Sequence, residues 1–218
     1  NMNSDNLMIN ATEAIRKDII YGEYELGEPL SEVKICKKYH LSKTPVREAL
    51  AILQNEGLVN RIARRGSFVF DITVSEIKQI AESRYLLENY AIQNSMIASP
   101  QILVNKLTKI YENMEKAAHL NDHVAFLDLD TEFHKSFFIS CNNDYLINFY
   151  NVLSNKSQAL KYYVVKNAIE GGEGLISHKS ILDDVKNNNI NALSENLKQH
   201  LTEWINKYIL NTKLNSSY

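Results

Sequence analysis

The chain has 218 residues, with 24 Lys or Arg against 26 Asp or Glu and a formal net charge of −2. This length suits two modest domains, and a hydrophobic content of 44% is enough for ordinary cores. The nearly balanced charge gives no overall sign of a nucleic-acid partner. No apolar run approaches the ~18 residues of a membrane span, and no charged and apolar leader opens the chain, so we expect a cytoplasmic protein without a membrane partner.

In the N-terminal part of the chain, the apolar residues are spaced as in three α-helices. Apolar residues predict a first helix over about residues 6–21, and Ser31 is a candidate cap for a short second helix. Thr44 is predicted to cap a third helix, with Pro45 at its first position, where a missing N–H costs nothing. Gly57 is the expected end of that helix.

After the third helix the pattern of apolar residues changes to one typical of β-strands. Two short apolar runs at 58–62 and 67–70 are joined by Ala-Arg-Arg-Gly, which predicts a two-stranded hairpin. A hairpin directly after a helix-turn-helix is a wing. We therefore expect residues 1–71 to form a winged helix-turn-helix domain that binds DNA.

The positive charge of the chain is concentrated in this domain. Between Ser31 and Ser67 we count eight Lys or Arg and three Glu, which leaves the rest of the chain acidic. Such a local patch is typical of a surface that meets phosphate, although single charges of this kind are also common on any solvated surface. The residues expected to contact DNA lie at the start of the third helix and at the wing tip: Ser42, Lys43, Thr44, Arg47, Arg64, Arg65 and Gly66.

These motifs resemble the winged-helix signature of GntR-family regulators. The block Ser-Lys-Thr-Pro-Val-Arg-Glu-Ala-Leu at 42–50 carries most of the likeness, which spans about forty residues. Lys43 stands where the family usually has Arg, and a Lys cannot make the bidentate hydrogen bonds to guanine that an Arg makes. The resemblance implies a homodimer acting on a double-stranded, pseudo-palindromic DNA operator.

From Thr73 onward the apolar residues are spaced as in α-helices throughout. A helix is expected from Thr73 to the residue before Ser99, followed by five more, and a Gly-rich break is expected at 171–174. Six helices with short connections predict a bundle, which makes the chain mainly α. The five later helices are predicted at about 101–119, 123–141, 144–167, 175–187 and 190–211.

One Asp and three His are expected to project from the apolar stripes of this bundle. Asp130 and His134 are spaced i, i+4, while His178 and His200 each align with aliphatic residues of their own helix. A buried carboxylate needs a partner, and a metal with imidazole ligands supplies one. The alternative is four separate core residues, each with its own hydrogen bond.

The same motifs resemble the FCD ligand-binding domain of the FadR subfamily, expected here over 72–218. The resemblance implies that Asp130, His134, His178 and His200 hold a divalent cation, which could be zinc, nickel or manganese. Arg84 matches an Arg of the first FCD helix and would pair with an anionic effector, unless it is bound to Glu88.

The expected function is a transcription regulator whose operator binding responds to a small carboxylate at the metal site. Two alternatives remain from the sequence. One is a DNA-binding protein whose metal is purely structural. The other is a metal-dependent hydrolase, which is disfavoured because no general base stands beside the ligands and Glu132 is rotated away from them. We therefore expect a protein that is not an enzyme.

Overall fold

A computed structural model describes residues 4–166 and 173–215 of the chain. The chain forms two compact units, one ending at Thr73 and the other beginning at Val74. The elements of the first unit are α1 (Ser4–Ile20), β1 (Pro29–Leu30), α2 (Glu32–Tyr39), α3 (Lys43–Asn55), β2 (Val59–Ile62) and β3 (Gly66–Val69). Those of the second are α4 (Val74–Ala98), α5 (Pro100–His119), α6 (His123–Lys135), α7 (Asp144–Lys166), α8 (Glu173–Lys186) and α9 (Ile190–Asn215).

The first unit has the predicted helix-turn-helix and wing. Helix α1 packs on α3, and most of the apolar side chains that predict these helices, among them Ile15 and Leu50, are buried, whereas Ile9 is 51% exposed. Ser31 caps α2 by accepting a hydrogen bond from the Lys34 backbone N–H. The hairpin pairs antiparallel, with Val59 opposite Val69.

Two local features of this unit differ from the sequence prediction. Helix α3 begins at Lys43 with Ser42 at its cap position, so Thr44 is the second residue of the helix and not its cap. Proline is tolerated at the third position too, because the first four N–H groups of a helix have no intrahelical partner. The two-residue strand β1 is absent from the prediction, since it is defined by pairing with distant β3, where Pro29 lies opposite Phe68.

The second unit is the predicted bundle. Helix α4 packs against α7 and α9, while α5 packs against α6 and α8. The expected continuous helix over 123–141 is wrong, because α6 ends at Lys135 and a 3-10 turn follows at Ser136–Phe138. Ser136 donates its hydroxyl to the Glu132 carbonyl at 2.7 Å, a local bond that competes with regular helix geometry.

The Gly-rich break falls partly beyond the described structure. Gly171 and Gly172 lie outside the described residues, whereas Glu173 and Gly174 already belong to α8. Among the helices that the structure describes, none is long and apolar enough to cross a bilayer.

Candidate metal centre and nucleic-acid interface

The structure brings four sequence-predicted side chains of the second unit to one point. Helix α6 supplies two of them one turn apart, and α8 and α9 supply one each. All four are buried, and one potential ligand atom from each lies within 4.8 Å of the others. They are Asp130, His134, His178 and His200.

Nitrogen and oxygen atoms face each other closely in this cluster. The Nε2 atoms of His134 and His200 are 3.0 Å apart. The Oδ1 atom of Asp130 lies 3.2 Å from Nε2 of His178 and 4.0 Å from Nε2 of His134. Whether these contacts are hydrogen bonds depends on where the imidazole protons are, which the surrounding hydrogen-bond network assigns.

Each imidazole is oriented through its Nδ1 atom by an outer acceptor. His134 Nδ1 lies 2.7 Å from the Glu88 carboxylate and donates to it. His178 Nδ1 lies 2.5 Å from the carbonyl of Gly174, which can only accept. The Ser177 hydroxyl donates to that carbonyl too, so its oxygen accepts from His200 Nδ1 at 2.8 Å.

With the protons on Nδ1, three Nε2 lone pairs and one carboxylate oxygen converge with no proton between them. His178 Nε2 is accordingly buried without a hydrogen-bond partner among the described residues, although Asp130 Oδ1 is only 3.2 Å away. Acceptors that face each other in a buried site repel unless a cation lies between them. The donor set, fixed by outer partners, fits a divalent metal.

The electrostatics of the cluster keep the ligands in their metal-binding forms. Burial lowers the pKa of His134 to about 4 and lowers the pKa of His200 well below its usual value, so both imidazoles are neutral at neutral pH. Burial alone would raise the pKa of Asp130, but Lys161 and the neighbouring imidazoles hold it well below its ordinary value. A neutral imidazole and an ionised carboxylate are the forms that bind metal.

Two buried ion pairs flank the cluster. The Nε atom of Arg84 lies 2.7 Å from Glu88, which keeps the pKa of that carboxyl low in spite of burial. The Nζ atom of Lys161 lies 2.6 Å from Oδ2 of Asp130. Arg84 is therefore bound to Glu88, the alternative considered from the sequence, and it also lines a shallow polar depression beside the Asp/His cluster.

Glu88 and Lys161 belong to the site but are not predicted from the sequence. Both are ionisable residues within apolar stretches of helix, and Lys161 follows Ala-Leu in the last third of α7. That placement is the signal that could have identified them, because a Lys in an apolar stripe requires a partner. Glu132 is exposed, as expected, and does not reach the cluster.

The predicted DNA-binding side chains of the first unit lie on its surface. Arg47 has 58% of its side chain exposed and is held by Glu32 of α2 at 2.8 Å. All the basic residues of the patch are exposed, as are Ser42 and Thr44. The basic residues are Lys34, Lys37, Lys38, Lys43, Arg47, Arg61, Arg64 and Arg65.

The wing tip is a tight turn that presents two arginines. Arg64 adopts a left-handed backbone with φ of 63°, and Gly66 has φ of 103° with no atom within 4 Å of the place where a Cβ would be. Arg65 lies over the Phe68 ring, with its guanidinium carbon 5.5 Å from the ring centre. The turn therefore leaves room for close approach of a phosphate backbone.

Family models match both units. The model of bacterial regulatory proteins of the gntR family matches residues 9–69, and the FCD domain model matches residues 79–203. The chain belongs to the GntR family and carries an FCD domain. The predicted family and the predicted fold class are therefore confirmed.

Relatives of known name are transcription regulators. The chain is 34% identical over 139 residues to the gluconate operon transcriptional repressor of Bacillus licheniformis, covering 64% of this chain and 57% of that protein. It spans little more than half the length of this relative. It is 24% identical to the uncharacterised HTH-type regulator YdhC of Bacillus subtilis, covering 85% and 84% of the two chains. These names agree with the expectation that the protein is not an enzyme.

Solved structures share the fold. A GntR regulator from Rhodococcus sp. RHA1 superposes with a TM-score of 0.80 at 21% identity, covering 93% of this chain and 97% of that one. E. coli McbR/YncC superposes with a TM-score of 0.81 at 17% identity, covering 94% and 98%.

Proposed function

We propose that this GntR-family protein is a DNA-binding transcription regulator whose operator binding is modulated by a small organic acid at a metal-containing site. Residues 1–71 would bind DNA and residues 72–218 would hold metal and effector, and a protein that binds the bacterial chromosome would act in the cytoplasm. The observation that carries the effector part is the convergence of three Nε2 lone pairs and one carboxylate oxygen in a buried space.

The DNA-binding part is supported by the exposed basic surface of the first unit. Ser42, Lys43, Thr44 and Arg47 would enter the major groove with the N-terminus of α3, while Arg64, Arg65 and Gly66 would approach the adjacent backbone or groove. In helix-turn-helix proteins the N-terminal residues of the recognition helix contact base edges in the major groove, and Ser42, Lys43, Thr44 and Arg47 lie at that end of α3.

A double variant tests this assignment. Arg47→Ala/Arg65→Ala should weaken binding to the promoter fragment of the protein's own gene, by roughly 1–3 kcal/mol for each arginine that reads a base edge. The control is Lys116→Ala, which removes an exposed positive charge from α5 of the other unit. Fluorescence anisotropy that gives equal affinities for the double variant and the control would refute the interface.

The metal would be held by Asp130, His134, His178 and His200. An imidazole-rich set suits zinc and nickel, and the carboxylate tolerates manganese. When bound, the ion would supply a Lewis-acidic position that attracts a carboxylate. Glu88, Gly174 and Ser177 would orient the three imidazoles toward it, as outer partners do in protein metal sites.

The effector would be a small carboxylate that meets Arg84 as well as the metal. One relative is named as a repressor of a gluconate operon, and gluconate is itself a small organic acid. The Nη1 atom of Arg84 is buried without a hydrogen-bond partner among the described residues, so it is free to bind such a ligand. Effector binding would shift the protein between states of different operator affinity.

The active form would be a homodimer, because a two-fold operator takes two recognition helices. Helix α4 carries an apolar stripe on its exposed side that a second copy would cover, with Leu86 68%, Tyr90 56% and Ile97 79% exposed. Sedimentation should show a species of about twice the 25.0 kDa chain mass. Leu86→Glu should dissociate the dimer, whereas the control Ile102→Glu, which changes an exposed residue of α5, should leave it intact. A monomer for the wild-type protein and for both variants would contradict the proposed dimer.

A further inference from the structure

The two oxygens of the Asp130 carboxylate have different partners. Oδ1 faces the imidazoles, at 3.2 Å from Nε2 of His178 and 4.0 Å from Nε2 of His134. Oδ2 accepts a hydrogen bond from Nζ of Lys161 at 2.6 Å. The aspartate comes from α6 and the lysine from the last third of α7. One oxygen is therefore directed at the cluster, while the other is held by an ammonium group.

The pair formed by Lys161 and Asp130 is buried. Lys161 is 9% exposed and Asp130 is 5% exposed, and a lysine is seldom buried so deeply without a charged partner. Charge-assisted hydrogen bonds of this kind are about twice as strong as neutral ones, and breaking a buried one leaves two charges without compensation. The carboxylate therefore cannot turn Oδ2 toward the imidazoles at low cost, and Oδ1 is the oxygen that it offers to an ion.

The negative charges that touch the cluster are compensated by neighbouring side chains. Asp130 is paired with Lys161. Glu88, which accepts from Nδ1 of His134, is paired with Arg84 at 2.7 Å. Neutral imidazoles bring lone pairs but no negative charge, so an ion in the cluster would be held mainly by nitrogen and only weakly by net charge. Zinc and nickel bind well to such a set, whereas manganese, magnesium and calcium prefer several oxygen ligands.

We propose that Lys161 is a positioning residue that determines which metal the site accepts. By holding Oδ2, it would restrict Asp130 to one oxygen ligand and cancel the charge of that carboxylate, so that the site favours zinc and nickel over manganese. The lysine would act through Asp130 and would not touch the ion itself. Without it, both oxygens of Asp130 would be available, which favours manganese. This inference rests on the proposed metal site and narrows its choice of ion.

The ratio of zinc affinity to manganese affinity tests this role. Competition titrations of the full-length protein against a chromophoric chelator measure both affinities. Lys161→Met removes the ammonium group and keeps an unbranched side chain, so the ratio should fall by about tenfold or more. Lys161→Arg keeps the charge and the donor and should stay close to the wild-type ratio. The control Lys179→Met should do so too, since it removes a lysine whose pair with Asp183, at 2.7 Å, lies at the surface.

A spectrum of the cobalt-loaded protein separates positioning of the carboxylate from a purely structural role. Co²⁺ absorbs visible light more strongly with four ligands than with five or six, so its spectrum reports the number of ligands. Release of Oδ2 would add a ligand, and Lys161→Met should therefore absorb less than the wild-type protein and Lys161→Arg. A lysine that only stabilised the fold would change the free energy of unfolding and leave the spectrum unchanged. Lys161→Gln removes the same charge and should shift both readouts in the same direction, which keeps the test available if Lys161→Met does not fold.

The outcomes separate this inference from the proposed metal site. An unchanged affinity ratio or an unchanged cobalt spectrum in the folded Lys161→Met or Lys161→Gln variant would overturn the role of Lys161 alone. Equal changes in Lys161→Met and Lys161→Arg would overturn it too, since the effect would then not follow the ammonium charge and its hydrogen bond. Wild-type protein that binds none of zinc, manganese and cobalt would overturn the metal site itself, and with it the role of Lys161.

Discussion

Each unit contains an Arg–Glu ion pair of nearly the same length, and the two pairs differ in burial. In the first unit Arg47 lies 2.8 Å from Glu32, with 58% and 28% of the side chains exposed. In the second unit Arg84 lies 2.7 Å from Glu88, with 3% and 0% exposed. Water can replace either partner of the first pair but not of the second. The exposed pair can therefore exchange partners with a ligand such as DNA, whereas the buried pair holds a fixed network in place.

The largest difference should appear when the two glutamates are removed. Glu88→Ala leaves Arg84 buried and unpaired and removes the acceptor of His134, so we expect a decrease of about 3–5 kcal/mol in the free energy of unfolding. Glu32→Ala should change it by less than about 1 kcal/mol. Urea unfolding followed by circular dichroism measures both, and similar decreases in the two variants would contradict the contrast.

Metal should stabilise the protein through the buried network only. Zinc at a hundredfold excess over its dissociation constant should raise the free energy of unfolding by about 2.7 kcal/mol, since it binds the folded site. The gain should disappear in His178→Ala and persist in His123→Ala, which changes an exposed histidine. Thermal unfolding with and without zinc measures this stabilisation. An equal stabilisation of His178→Ala and His123→Ala by zinc would show that the ion binds outside the cluster that contains His178.

The buried imidazoles should make the metal-free protein sensitive to acid. Burial lowers the pKa of His134 to about 4 from 6.5, so the unfolded chain binds a proton near pH 6.5 while the folded chain does not. The contribution of His134 to the free energy of unfolding is therefore fully present above pH 6.5 and is lost as the pH falls toward 4. Between about pH 7.5 and 5 this loss amounts to about 2 kcal/mol. His200 acts in the same direction. Urea unfolding in the presence of a chelator should show the fall, and pH-independent stability over that range would disprove it.

The smallest effect concerns the exposed pair and DNA. Glu32→Ala frees Arg47 and removes a negative charge from the expected phosphate-facing surface, so DNA affinity should rise by up to about 1 kcal/mol. The rise should be larger at low ionic strength, because exposed charges are screened by salt. Anisotropy titrations at two salt concentrations test this against Glu132→Ala, an exposed glutamate of the other unit. A weaker complex for Glu32→Ala would show that Glu32 positions Arg47 for DNA.

The sequence predicts most of the fold and the four clustered side chains because both depend on local periodicity. Asp130 and His134 share a face at i, i+4, and the apolar neighbours of His178 and His200 show that these face the core. The cap of α3 is ambiguous in the sequence because Ser42 and Thr44 are both good cap residues two positions apart.

Features that depend on distant partners are not visible in the sequence pattern. Lys161 meets Asp130 across 31 residues, and Glu88 meets His134 across 46. Strand β1 has only two residues and exists through its pairing with β3. Such contacts follow from how the helices and strands pack, which no local spacing encodes.

Metal content tests the central claim most directly, namely that Asp130, His134, His178 and His200 hold one divalent ion. Mass spectrometry should find about one equivalent of zinc, nickel or manganese per chain in wild-type protein purified without chelator. The His123→Ala control should match it, and His178→Ala should be nearly metal-free with DNA binding retained. Wild-type protein without metal, or His178→Ala with a full equivalent, would contradict the account.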